Sequence, residues 1–599
     1  MDRERLVRAW PVLLVAQSIA LSIVLSWPTV AHLMTHAVGY ADADGPKHIW
    51  TLWWMRREFW HGESGLHTSL INFPEGMDLF PIEPLNGLIS LVCPLPTVLL
   101  SNLLALSHLT MLGVSAGWLG WLLSGRKLGA LVAGAMAEGT AFSAFVLHVG
   151  VGELRQLWWI PLGLGCLVRA RETLAWKWFL ALAGVLAGAA LSCFYHGLFL
   201  GLATAIWALT TLWPKPRLLA GYALAAGLSV AIVYPVVTTF ATSFGGSGAP
   251  MPVFDDRGMV VTTYKGAAME LDQLVTPRSG ERTGADRQTF AYTGGRYVGW
   301  VTLLLAVAGL AAAPKKALPW LAVTGASTVL SLGSVLWMRG ALVTHSGMNY
   351  VLPLAYLNDE LGKIAEPINF PARFIAPGMI ALAMMAALAT RWRWTALAVP
   401  LALLDIGAND LVPWPRKNFA LPDVSSFAQA PGTGAIADLA AAWNPDPESR
   451  LAAIAVQVAT GRPVSGVPIE RLDTWAHSGT DWVRALHLMR EFVTNQPSRV
   501  ALEYRRDAWL LRKRGFDSVL LSGNNATDHS GDSMILTEAF GKPVRSGRVA
   551  LWPVPEITAT ADEQSTWQAD FDTALRSLTI GNTGPPNPGE NAGSPPSPN

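Results

Sequence analysis

The sequence predicts a polytopic α-helical membrane protein of about eleven transmembrane helices, followed by an α/β domain outside the membrane. Three observations predict it. Long apolar runs recur through the first two thirds of the chain, short basic loops alternate between them, and the composition changes after residue 410. Of 599 residues 51% are hydrophobic and 15% charged, well below the roughly 25% charge of soluble domains. The 26 tryptophans suit membrane interfaces.

Residues 1–8 are polar and net basic, and 10–31 form an apolar run. The run exceeds the roughly 7–15 residues of a signal-peptide core, and no small-residue cleavage site follows. It reads as the first span, beginning in the cytoplasm. Further spans fall near 98–123, 128–148, 155–170, 177–194, 197–213, 218–240, 297–313, 317–337, 373–390 and 394–410. Alternate loops are Gly125-Arg126-Lys127, Arg169–Lys177, Pro214–Arg217, Pro314-Lys315-Lys316 and Arg391-Trp392-Arg393. All are short and basic and share the side of the N-terminus, which is the positive-inside pattern. The opposite, extracytoplasmic face receives the loops 32–97, 149–154, 241–296 and 338–372 and everything beyond the last span. Within the first loop, 84–97 reads as interfacial or re-entrant because Pro84, Pro94 and Pro96 interrupt it.

Residues 411–580 mix helical stretches (Gly434–Trp443, Thr480–Val493) with short β-like runs (Leu451–Val458, Ser518–Leu521, Val549–Val554). This is the pattern of an α/β domain. It contains no Gly-rich phosphate loop and no metal-spaced His/Cys set. Residues 581–599 are a Pro/Gly-rich disordered tail. No internal repeat supports an inverted-repeat transporter. Cys93, Cys166 and Cys193 lie in apolar segments and form no disulfide framework. The net charge of +1 argues against nucleic acid as a partner.

Polar side chains capable of chemistry concentrate in Tyr40–Trp60, YADADGPKHIWTLWWMRREFW. Asp42 and Asp44 can deprotonate an acceptor hydroxyl or hold a divalent cation, Mg²⁺ or Mn²⁺. Asp44 can equally cap the helix that Gly45-Pro46 opens. His48 is four residues from Asp44 and would share its helix face. Lys47, Arg56 and Arg57 can bind phosphate or form a solvated face. Trp50, Trp53, Trp54 and Trp60 read as an interface belt. Glu75 tips the turn NFPEG, and Glu153 and Arg155 mark the external end of a span. The loop 241–296 carries many solvated charges, with Arg296 and Tyr297 best placed beside a span. Arg373, in NFPARF, can clamp a lipid phosphate or snorkel to the interface. Glu138 is the clearest ionisable residue inside a span.

The acidic start of the first loop with DGPKHIWTLWW, then NFPEG, GGRYVGWVTLLLA, SLGSVLWMRG and NFPARFIAPGMIALAMMAALA, occur in an order that resembles the GT-C superfamily of integral-membrane glycosyltransferases. Within it, the pattern is similar to bacterial members related to YfhO-like proteins. The resemblance spans most of 1–410. It implies a polyprenyl-phosphate sugar donor, an envelope acceptor and inverting transfer on the outer face of the cytoplasmic membrane. It implies a first-loop acid as base, Asp44 or else Asp42. By charge and placement Arg373 and Arg296 are candidates for the donor phosphate. The later loops lack a paired-acid signature.

Two other functions compete. A transporter or flippase of lipid-linked glycans should carry charge at mid-membrane, and these spans are nearly free of it. A non-catalytic membrane scaffold would leave Asp42 and Asp44 away from any cavity.

Overall fold

The computed structural model describes residues 9–41, 44–62, 67–78, 83–212, 215–244, 253–254, 260–261, 268–276, 295–338, 341–346, 348–361, 370–407, 414–430, 432–439, 447–466, 497–527 and 531–581. The chain divides into two units. The first comprises Met1–Glu63 and Phe80–Ala420, the second Ser64–Leu79 and Leu421–Asn599. The boundary therefore lies ten residues beyond the expected 410, and Ser64–Leu79, from the loop between the first two expected spans, belongs to the second unit.

The first unit is helical: α1 (Trp10–Leu25), α2 (Gly45–His61), α3 (Pro84–Val92), α4 (Thr97–Ser124), α5 (Lys127–Glu138), α6 (Ala141–Val149), α7 (Trp159–Thr173), α8 (Trp176–Ser192), α9 (Phe194–Leu212), α10 (Pro216–Phe244), α11 (Trp300–Ala312), α12 (Pro314–Ser331), α13 (Pro353–Leu361), α14 (Ile375–Leu388) and α15 (Thr395–Gly407). A helix stands on each segment expected to span. Among the described residues four helices, Thr97–Ser124, Phe194–Thr211, Pro216–Val236 and Pro371–Arg391, are long and apolar enough to cross a membrane. A fifth span forms if α5 and α6, bent by 40° at Gly139-Thr140, are taken as one, and four further apolar helices are shorter.

Burial orders these helices. Every residue of α14 is buried, so it is the axis of the bundle. The α10 span is only 11% buried and shows Leu224, Val230 and Ile232 to the outside, as a lipid-facing helix does. Close approach needs small residues: a Cβ on Gly309 of α11 would collide with the Met385 carbonyl of α14. With no hydrophobic drive between helices in lipid, such contact is what holds them together.

Two devices fix the loop that follows α1. Strand β1 (His36–Val38) pairs antiparallel with β10 (Asn418–Ala420), the strand that ends the membrane unit. This explains the shifted boundary. Asn102 on α4 donates to the Leu33 carbonyl at 2.9 Å and the His36 carbonyl at 2.8 Å. The remaining strands of the loops are two-residue hairpins, β4 (Val253–Phe254) with β5 (Val260–Val261), β6 (Trp337–Met338) with β7 (Ala341–Leu342), and β8 (Thr344–His345) with β9 (Met348–Asn349).

The second unit is an α/β domain. Its sheet comprises β11 (Ala435–Asp438), β12 (Phe516–Ser522), β13 (Val544–Ser546) and β14 (Val549–Pro553) in the order β11-β12-β14-β13. Only β11 and β12 are parallel. Helices α16 (Pro447–Thr460), α17 (Pro497–Lys513), α18 (Gly531–Phe540) and α19 (Ala561–Gly581) complete it. The expected strands at 518–521 and 549–554 are present. Leu451–Val458 is instead helical, and the start of the expected helix 434–443 is strand β11. Short apolar runs do not separate buried helix from buried strand by periodicity. The helix expected over 480–493 and the tail lie outside the described residues.

The hairpin β2 (His67–Thr68) and β3 (Met77–Asp78) belongs to this unit. The Leu70 carbonyl accepts from Val464 N at 2.8 Å, Phe73 N donates to the Val464 carbonyl at 3.1 Å, and the Phe73 ring meets Phe516 edge-on at 5.2 Å. Phe73→Ala in the full chain should therefore destabilise the C-terminal unit by about 2–3 kcal/mol, less than a fully buried ring would cost. Limited proteolysis should show earlier cleavage within 421–581 and an unchanged membrane unit; equal resistance to wild type would refute the assignment.

Candidate active site

Helix α2 opens at Asp44 with Pro46 in its first turn, which needs no amide there. The capping reading of Asp44 does not hold: its side chain makes no cap hydrogen bond. Instead the carboxylate pairs with Lys47 at 2.5 Å, one turn on. Lys47 and His48 are both buried, unusual for charged groups unless paired.

The partners of His48 come from two other elements. Its Nε2 lies 2.8 Å from Glu153 Oε2, in the turn after α6, and its Nδ1 pairs with Glu83, just before α3. Both acids are buried. Carboxylates only accept, so an imidazole between two of them must carry a proton on each nitrogen. Burial opposes that charge, but Glu83 and Glu153 outweigh it and raise His48 above its ordinary value. Burial likewise would raise Glu83 and Asp44, yet His48 holds Glu83 below the carboxylate range and Lys47 does the same for Asp44. Arg155 lines the same small cavity as His48 and Glu83. Formal charge then balances: Asp44, Glu83 and Glu153 against Lys47, His48 and Arg155.

The network continues inward. Glu83 accepts from Asn86, whose Oδ1 lies 3.0 Å from His108 Nε2, and Trp158 Nε1 donates to His108 Nδ1 at 3.2 Å. His196 Nε2 sits 2.8 Å from the Glu153 carbonyl. Room for this packing comes from Gly152: a Cβ there would lie 2.8 Å from His48 Cγ and collide with Glu83 Oε1. At the entrance, the Phe419 ring of β10 lies against Gly45 beside Asp44, so the β1–β10 pair braces the start of α2.

Of the residues singled out from the sequence, Asp44, Lys47, His48, Glu153 and Arg155 come together here. Asp42 lies outside the described residues. Glu75 belongs to the second unit, is exposed, and faces Arg514 at 3.6 Å; the backbone beside it, at Leu70, Asn72 and Phe73, is bonded to Val464 and Gly466 of that unit. Tyr297 donates to Asp405 at 2.6 Å and packs on Ala141 and Ile406, so its hydroxyl is engaged with α15. Arg296 donates to Gln273 Oε1 at 2.7 Å. Arg373 stacks on Tyr195 at 4.8 Å and Phe370 at 4.4 Å and is buried rather than snorkelling. Trp50 and Trp54 are fully buried and stacked at 5.4 Å, so they are core, while Trp60 is exposed. Sequence reasoning missed Glu83, Asn86, His108 and His196. The signal for Glu83 was present: an acid between two prolines, in PIEP, at the head of an interfacial segment.

Asp44, His48 and Glu153 each offer a ligand atom, all within 4.8 Å of one another. His48 Nε2 and Glu153 Oε2 meet at ion-pair distance without a well-angled hydrogen bond, so the residues fit a cation as well as a proton.

No family profile and no curated protein matches the chain by sequence. Among solved structures, the chain is similar to the single-particle cryo-EM structure of the arabinofuranosyltransferase AftD from Mycobacteria, with a TM-score of 0.50 at 15% identity. The likeness is one of fold. It covers 92% of this chain and 40% of that one, so the chain spans two fifths of that structure's length.

The charge balance predicts a stability window. The contribution of His48 is complete below its ordinary value, near 6.5, and is lost as pH rises through its raised folded value. That of Glu83 is complete above the carboxylate range and is lost as pH falls through its lowered value. Melting temperature in detergent should fall at both ends, and His48→Gln should flatten the alkaline limb. An unchanged alkaline limb in that variant would count against the buried imidazolium.

Proposed function

We propose that the protein is a membrane glycosyltransferase that moves a sugar from a polyprenyl-phosphate donor to an envelope acceptor, with inversion. The observation that carries the reading is the convergence of Asp44, His48, Glu83, Glu153 and Arg155 beneath the first-loop helix of a glycosyltransferase-like fold. The positive-inside pattern puts this cluster on the extracytoplasmic side of the cytoplasmic membrane, with the N-terminus inside and the C-terminal unit outside. Kinship with YfhO-like bacterial members rests on the sequence pattern alone.

Asp44 is the base. Its side chain is 12% exposed, against 5% for Glu83 and 1% for Glu153, so it is the carboxylate an acceptor can reach. The acceptor oxygen attacks the anomeric carbon as its proton passes to Asp44. The bond from that carbon to the phosphate oxygen breaks, and the lipid phosphate leaves with the electron pair. Lys47 keeps Asp44 ionised, the form that can accept a proton. His48, clamped by Glu83 and Glu153, holds the turn of α2 in place. Arg155 and Arg373 supply positive charge for the departing phosphate; Arg155 lines the cavity and Arg373 acts electrostatically on His196. Arg296 is a weaker candidate because Gln273 engages it.

In place of the proton on His48 Nε2, Asp44, His48 and Glu153 would hold a divalent cation, with Mn²⁺ fitting better than Mg²⁺ because an imidazole nitrogen joins the two carboxylates. When bound, such an ion neutralises charge on the leaving phosphate.

The test is transfer from radiolabelled polyprenyl-phosphate sugars in membranes containing wild type, Asp44→Asn or Asp42→Asn. Loss of the base should lower transfer about 10²–10⁴-fold in Asp44→Asn, with expression and melting retained. Full activity of Asp44→Asn beside an inactive Asp42→Asn would move the base to Asp42. No transfer by wild type from any donor would overturn the enzymatic reading.

A further inference from the structure

A second buried polar site lies within the helical bundle, apart from the candidate active site. Its centre is Glu138, the last residue of α5, where the span bends before α6. The side chain is fully buried. Ser22 of α1 donates its hydroxyl proton to Glu138 Oε1 at 2.8 Å, and Thr110 of α4 lies 2.8 Å from the same Ser22 oxygen. Ser22 has one proton and gives it to the carboxyl, so Thr110 must be the donor in the second contact. Ser18 is one turn before Ser22 on α1 and is also fully buried. A Cβ on Gly113 of α4 would collide with both Glu138 Oε2 and Ser18 Oγ, so that glycine opens the space they share. Ser18 lies within hydrogen-bonding reach of the Glu138 carboxyl across that space.

No cationic side chain pairs with Glu138 among the described residues. The elements packed against α5 are α1, α4, α14, α15 and the turn Ala389–Arg391. Their titratable groups are otherwise engaged or lie at helix ends. His108 is bonded to Asn86 and Trp158, and Asp405 accepts from Tyr297 and from Val301 N. Lys127 opens α5, at the other end of that helix from Glu138, and Arg391 follows Ala387, which packs on Gly129 at that same end. An ionised carboxylate here would be a lone charge in a hydrocarbon-facing bundle, among the most costly arrangements a protein can bury. A carboxylic acid fits the donors instead: Oε1 accepts from Ser22, and a proton on Oε2 has the Ser18 oxygen as its acceptor.

We propose that Glu138, Ser18 and Ser22 form a buried proton-binding site at the bend of the α5–α6 span, with Glu138 carried as a carboxylic acid. The site joins three helices through one proton. It also sits on the segment that continues through α6 to Glu153, the acid that faces His48.

The test uses the purified full chain in lipid nanodiscs, with infrared difference spectra of wild type against Glu138→Gln at pH 7. The expected result is a carboxylic-acid carbonyl band, present in wild type only, that shifts on exchange into D₂O. Ser22→Ala removes a donor to Oε1 and should move that band to higher frequency. Carboxylate bands in its place at pH 7, with or without sodium, would overturn the proposal. So would a band indifferent to Ser22→Ala. Glu138→Gln reproduces the shape and neutrality of the acid and should fold and melt as wild type does; failure to fold would likewise refute the neutral site. Dicyclohexylcarbodiimide gives an independent reading. The acid proton passes to a carbodiimide nitrogen, the carboxyl oxygen bonds to the central carbon, and the acyl group then migrates to nitrogen as a stable acylurea. Mass spectrometry should find this adduct on the Glu138 peptide of wild type.

Discussion

The contact on which the polar end of the first unit depends is His48 held between Glu83 and Glu153. Three segments far apart in the chain meet at one imidazole. Removing either carboxylate would leave a buried, uncompensated charge, which costs far more than the pair contributes when intact. The cluster is therefore a lock: α2, the approach to α3 and the turn after α6 must sit together for the charges to cancel. Lys47 extends the same logic to Asp44, whose carboxylate is spent on a neighbour rather than on the helix amides.

That lock needs space and bracing that charge alone does not supply. Gly152 lets the Glu153 turn press against the His48 ring, and the β1–β10 pair carries Phe419 to the start of α2. Asn102 ties the same loop to the head of α4. Small residues play the equivalent part deeper in the bundle, where Gly309 and Gly113 admit a backbone and a carboxyl. Each of these two polar clusters is built where a glycine permits close approach.

Much of the fold was legible. Apolar runs about one bilayer long and basic loops on one side are local properties, because lipid demands that backbone polar groups be satisfied within each helix. Asp44, His48 and Glu153 also stood out as polar groups beside spans. The β-like reading of Leu451–Val458 failed because an apolar run buried on all sides looks alike as helix or strand. Glu75 was grouped with the first loop because chain order was the only guide, whereas its segment is hydrogen-bonded to Val464 and Gly466 of the second unit.

The sequence by itself determined what each segment must bury: which stretches suit hydrocarbon, which side is basic, and where acids and a histidine cluster near an interface. Only the tertiary structure decided which of them meet. Glu83 reaches His48 across 35 residues and Glu153 across more than a hundred, while Tyr297 turns to Asp405. Such pairings follow from the cost of burying charge, and that cost is cancelled by partners in space, which neither spacing nor composition encodes.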